Sequence, residues 1–253
     1  MALLVGTRKQ KPSPDNMTLR EHLGELRRRL IISVIAFVVA AIVATVFYTP
    51  ILHFLVRPLC DVDHATLKHG GCSLYVTSPL DGLSLRVKIA MFGGLVFASP
   101  VILFQVWSFV TPGLQSRERK YAIPFVTAAF TLFLAGAATA YTVLPHALGF
   151  LKSVGGPELQ QIYNPIPYLG LIVLMMTLFG LTFEFPVVLV SLELAGVVSS
   201  ARLLRSWRWA VIIITVVAAV ATPSGDPFSM FALVIPLVSF YFISIFIGKL
   251  LGR

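Results

Sequence analysis

Two glutamates, Glu21 and Glu25, and four arginines, Arg20 and Arg27 to Arg29, lie between Thr18 and Leu30, directly before nineteen uncharged residues, Leu30 to Tyr48. A carboxylate held at the edge of an apolar segment can take a guanidinium by paired hydrogen bonds, a geometry that lysine cannot copy. Glu25 is the first such group, and its plainer alternative is an i, i+4 pair with Arg29. Glu118 is the second, flanked by Arg117, Arg119 and Lys120, where its plainer role is counter-ion to a basic cluster. Glu184 is a third carboxylate, set in Phe183, Glu184, Phe185, Pro186 deep in an apolar run. An acidic group at a helix centre in a membrane costs about 3 kcal/mol, so Glu184 is expected to face protein, a watery cavity or a partner. The alternative is a kink support that bonds the carbonyl freed by Pro186. Glu193, nearer the end of the same run, reads as solvated or snorkelling.

Several reaction types find no residues. His22 beside Glu21 suggests a zinc peptidase helix, but position 26, where the second histidine belongs, is leucine. No Gly-x-Ser-x-Gly elbow and no phosphate-cradling glycine loop occurs, and no second aspartate is available to pair with Asp226 in an intramembrane site. No cofactor, no metal and no enzymatic activity are expected. Cys60 and Cys72 share one loop, where an oxidising compartment permits a disulfide and two free thiols are the alternative; His64 and His69 between them match no common zinc spacing.

The elements that must hold these groups are membrane helices. The chain of 253 residues is 57% hydrophobic and 12% charged, with a mean hydropathy of +0.87, which places it in the bilayer rather than in water. Thr18 to Glu21 forms a capping box, and Leu19, Leu23, Leu26 and Leu30 recur at helical spacing. The expected organisation is one membrane domain over residues 1–253. It comprises a leader at 1–17, an amphipathic helix at 18–29, and spans near 30–49, 86–110, 120–148, 165–194, 208–222 and 228–248. The turn formers Thr222 to Pro227 divide the last apolar run into a hairpin, and its two helices are expected to be short. Gly93 and Gly94 read as membrane background rather than as a packing device.

Six spans put both termini on one side. Fifteen of the basic residues fall on that side and five, Arg57, Lys68, Arg86, Lys88 and Lys152, on the other, so the termini are expected to be cytoplasmic. The basic residues are spread over separate segments, which argues against a nucleic-acid surface. The first apolar run exceeds a signal-peptide core and lacks a small-residue cleavage site, so it reads as retained.

His22, Leu23, Gly24, Glu25, Leu26, Arg27 resembles the amino-terminal signature of the TatC family, the receptor and core subunit of the twin-arginine protein translocase. The resemblance continues through Ala98 to Leu114, on to Glu118 and Arg119, and then at Phe183 to Pro186 and Thr222 to Ser229. It implies an all-α, six-helix, glove-shaped concave bundle in the bacterial cytoplasmic (inner) membrane. By the same resemblance Glu25 and Glu118 take the two arginines of a twin-arginine signal peptide, with Arg27, Arg29 and Phe109 around them. Glu184 faces the concave side, where small single-span TatA-like or TatB-like partners meet it. Pro58 and Asp226 match exported-side positions. Self-association, folded cargo and transport driven by the proton motive force are further implications.

Two rival functions fit the same composition. A proton-coupled small-solute carrier would use Glu184 as its proton site, but such carriers show two related halves, and no internal repeat is found here. A membrane assembly scaffold without transport is the other.

Overall fold

The computed structural model describes residues 19–62, 78–110, 122–156, 164–194 and 196–250. All regular structure among these residues is helical: α1 (Leu19–Val46), α2 (Tyr48–Val62), α3 (Asp81–Val110), α4 (Ala122–Gly155), α5 (Pro165–Phe183), α6 (Phe185–Leu194), α7 (Ser200–Arg205), α8 (Trp207–Ala221) and α9 (Pro227–Leu250). Five stretches are long and apolar enough to cross a bilayer, in α1, α3, α4, α5 with α6, and α9; α8 is shorter. Five of the expected spans are thus helices of membrane length, and the sixth is the shorter α8.

Several boundaries differ from those read in the sequence. Residues 19–29 do not form a separate helix but continue into the first span as one 28-residue α1, since neither proline nor a glycine pair interrupts them. α8 has 15 residues, about 22 Å, and is short as expected. α9 is not short: it runs 24 residues, because no charge falls between Pro227 and Lys249 and Pro236 alone does not end a membrane helix. α3 begins at Asp81, and α4 continues to Gly155, past the expected ends. Two helices were not anticipated, α2 in the first loop and the six-residue α7.

Local chemistry explains the ends. Asn164 caps α5, its Oδ1 accepting the Ile166 N–H at 2.9 Å, with Pro165 in the first helical position, where its missing donor costs nothing. Gly225 has φ +60, a left-handed turn that lets the chain reverse between α8 and α9.

Two close crossings fix the bundle. A methyl group added at Gly94 would stand 2.9 Å from the Ala41 Cα, and one at Gly93 2.7 Å from the Ala44 Cβ, so α1 lies directly on the backbone of α3. The glycines are a packing device, contrary to the reading from sequence. On α4, a methyl at Gly136 would meet the Phe179 carbonyl oxygen at 2.5 Å, and one at Gly180 on α5 would meet the Phe133 ring at 2.7 Å. Around this crossing lies the core, with Leu144, Leu169, Ile172, Met175, Phe179 and Leu233 fully buried. α1 packs chiefly on α3 and α8 chiefly on α9, so these two helices form opposite edges of the bundle.

Candidate functional site

Glu25 lies near the start of α1, in a turn where Leu23, Leu26, Arg27 and Arg28 are exposed. Its Oε1 accepts a charge-assisted hydrogen bond from Nη2 of Arg29, one helical turn on. The pair is partly shielded, with side-chain exposures of 16% for Arg29 and 27% for Glu25. Glu25 Oε2 and Arg29 Nη1 are buried and have no hydrogen-bond partner among the described residues. Among the described residues the carboxylate is thus engaged on one oxygen only. Arg27 is exposed.

Phe109 falls in the last turn of α3, but its side chain lies outside the described residues, as does all of Glu118. The structure therefore brings Glu25 and Arg29 together and leaves their relation to Glu118 and Phe109 undescribed. It does fix the two helix ends that flank residues 111–121. Trp107, near the end of α3, stacks on Phe125, near the start of α4, with ring centroids 4.3 Å apart and planes 12° from parallel.

Glu184 sits at the break between α5 and α6. Its backbone N–H donates to Leu181 O at 3.2 Å while Pro186, lacking a donor, interrupts the helical ladder. Oε1 of Glu184 is buried without a partner among the described residues, so the kink-support alternative finds no side-chain bond from that oxygen there. Glu184 lines a cavity of about 450 Å³ with Thr182, Phe185 and Val188 on its own side and Ala210, Ile213, Ile214 and Val217 of α8 opposite. A buried carboxylate oxygen with no partner among the described residues, on a residue that lines a mostly apolar cavity, calls for a hydrogen-bonding ligand or partner side chain.

At the opposite end of the bundle the remaining positions have structural work. Pro58 is fully buried inside α2, and its missing N–H frees the carbonyl of Phe54. The Tyr141 hydroxyl donates to that carbonyl at 2.9 Å, and the Tyr141 and Phe54 rings stack at 4.4 Å. Tyr168 makes the neighbouring bond, its hydroxyl donating to Leu55 O at 2.8 Å. Lys88 reaches from α3 to the Ile166 carbonyl at 3.0 Å. Asp226 is only 1% exposed and caps α9, with Oδ1 accepting the Ser229 N–H at 2.7 Å and Oδ2 accepting from the Ser224 hydroxyl. Cys60 is in a disulfide, whereas Cys72, the other cysteine of the chain, lies outside the described residues.

Glu193 departs from its reading in the sequence: it is 1% exposed, neither solvated nor snorkelling. Oε1 accepts from the Ser200 hydroxyl at 2.8 Å, Oε2 has no partner among the described residues, and the carboxylate lies directly over Gly248 of α9. The cue in the sequence was Ser244-x-x-x-Gly248, small residues one turn apart that make room for a neighbour.

Residues 21–236 match the family described as "Sec-independent protein translocase protein (TatC)". A protein of that name from Frankia casuarinae is 40% identical, over 98% of this chain and 70% of its own length. Another, from Aquifex aeolicus, is 37% identical over 94% of this chain and 97% of its own. A crystal structure described as "Twin Arginine Translocase Receptor- TatC" superimposes with a TM-score of 0.73 and 36% identity, covering 92% of this chain and all of the other.

Proposed function

Since this chain belongs to the TatC family of Sec-independent protein translocases, and is thus a membrane-embedded transport protein of the Tat system rather than a catalytic enzyme, we propose that it is the receptor subunit for twin-arginine signal peptides. Glu25 and Glu118 each take one signal arginine, with Arg27, Arg29 and Phe109 shaping the surface around them. The observation that carries this reading is Glu25 itself, a carboxylate at the mouth of an apolar helix with one oxygen unmet among the described residues. The end bearing Glu25 faces the cytoplasm, as the bias of basic residues towards it supports, and the membrane is the bacterial inner membrane.

The cavity beside Glu184 is the docking place for small single-span TatA-like and TatB-like partners, whose polar side chain meets the unpaired carboxylate oxygen. Self-association of the chain and transport driven by the proton motive force complete the reading. Cys60 pairs with Cys72 across the exported loop, which peptide mass mapping without reduction tests directly.

The receptor reading is tested by crosslinking. A photoreactive signal peptide labels the region of Glu25 and Glu118, and replacing its two arginines with lysines abolishes the label. Equal labelling by the lysine peptide sinks the proposal. Glu184→Ala lowers partner assembly and transport while leaving peptide labelling intact; loss of labelling would refute the separation of the two sites.

A further inference from the structure

We propose that Arg29 is a specificity-determining residue: a resident guanidinium that holds Glu25 until a peptide arginine exchanges with it, so that lysine is rejected. The inference rests on the receptor reading above and adds to it the source of the preference between the two cations.

Three arginines in succession, Arg27 to Arg29, are an unexpected setting for a carboxylate that must receive cations. Two of them, Arg27 and Arg28, are exposed, and the third is bound to the carboxylate itself. That bond uses one nitrogen and one oxygen. The second oxygen of Glu25 and the second terminal nitrogen of Arg29 are both buried and unmet among the described residues. A pair made this way is weak, because a partly shielded i, i+4 contact gains little and each buried unmet atom costs desolvation.

An incoming guanidinium can do better than Arg29 does. Approaching from outside the helix, it can present two parallel N–H groups to both oxygens, a geometry Arg29 does not adopt from its place on the same helix. To do so it must displace Arg29 from Oε1, and the two bonds formed compensate for the one lost. A lysine ammonium is a point charge with no fork. With Arg29 in place the buried Oε2 is out of its reach, and displacing Arg29 from Oε1 would exchange one bond for one, with no gain. Arg29 therefore sets a threshold that a bidentate ligand clears and a monodentate ligand does not.

The test uses the full-length chain in detergent at fixed ionic strength, with fluorescent signal peptides carrying either two arginines or two lysines. Dissociation constants are measured for the wild type, Arg29→Gln and Arg29→Lys. Arg29→Gln tightens the lysine peptide by more than the arginine peptide, so the ratio of the two constants falls by about fivefold, the factor that corresponds to an ion pair of about 1 kcal/mol. Arg29→Lys gives an intermediate ratio. The ratio is taken within each variant, so a loss of folded protein affects both peptides alike. An unchanged ratio in Arg29→Gln, or equal weakening of both peptides, overturns the inference and makes Arg29 a residue that merely positions Glu25. If the wild type itself shows no preference for arginine, the receptor reading falls and this inference with it.

Discussion

Replacing Gly136 with alanine is the sharpest test of how the bundle is held. The added carbon would sit 2.5 Å from the Phe179 carbonyl oxygen, 2.8 Å from the carbonyl carbon and 2.9 Å from Cγ of Phe183, where ordinary contact begins at 3.4 Å. The obstacle is backbone and cannot rotate away, so α4 and α5 must part by about 0.9 Å. A gap of that order forfeits a quarter to a half of each atom contact, and a buried side chain makes roughly 40–60 contacts of about 0.1–0.2 kcal/mol each. Loosening the packing of Phe179 alone then costs about 2–3 kcal/mol, in the range measured for overpacked cores. The gain in helix propensity on replacing glycine returns up to about 1 kcal/mol, leaving a net loss near 2 kcal/mol. Reversible unfolding of the purified chain in mixed detergent micelles measures it, with Gly149→Ala on the same helix as control, since a methyl there meets nothing within 4 Å. Gly180→Ala separates the same two helices, so the double variant loses less than the sum of the singles. A Gly136→Ala protein within about 0.5 kcal/mol of wild type, or strict additivity with Gly180→Ala, would refute the account.

Three further outcomes follow from the hydrogen bonds. Tyr168→Phe leaves the Leu55 carbonyl without its hydroxyl donor and lowers stability by about 1 kcal/mol, read by the same unfolding assay. Asp226→Ala removes the cap of α9 and costs about 1–2 kcal/mol, while Asp226→Asn, which can still accept the Ser229 N–H, loses less; faster amide exchange at the start of α9 reports the local opening. Gly248→Ala drives a methyl into the Glu193 carboxylate and breaks its bond to Ser200, so amides of α7 exchange faster than in wild type. If α7 is unaffected, the carboxylate is not what anchors it.

The six spans were legible because hydropathy over some twenty residues is a strong, local signal. α2 was not, since Pro50, Pro58, Arg57 and Cys60 make it read as a loop; its helix is tied down from far along the chain, by Tyr141, which satisfies the Phe54 carbonyl that Pro58 frees, and by Tyr168, which bonds the Leu55 carbonyl. Glu25 read in the sequence either as a binding carboxylate or as the partner of Arg29, and the structure shows the second, with Oε2 buried and without a partner among the described residues. Glu193 was misread for a similar reason. Nothing within its own helix distinguishes a snorkelling glutamate from a buried one, and the deciding neighbours, Ser200 and Gly248, lie on other elements. Gly93 and Gly94 read as background because glycine is common in membrane helices, and only the crossing reveals what occupies the space where a side chain would be.

The unbroken course of α1 links two places that look independent. Ala41 and Ala44 are seated on Gly94 and Gly93, which fixes the rotational phase of the helix, and Glu25 lies on the same rod sixteen residues, about 24 Å, before Ala41. With no hinge between them, the compass direction in which Glu25 points is set deep in the bilayer. Inserting one residue anywhere along that stretch would swing the carboxylate by about 100° around the axis while leaving every side chain near it unchanged. The proposed receptor surface is in this sense aimed from below, as a weathervane is by its shaft.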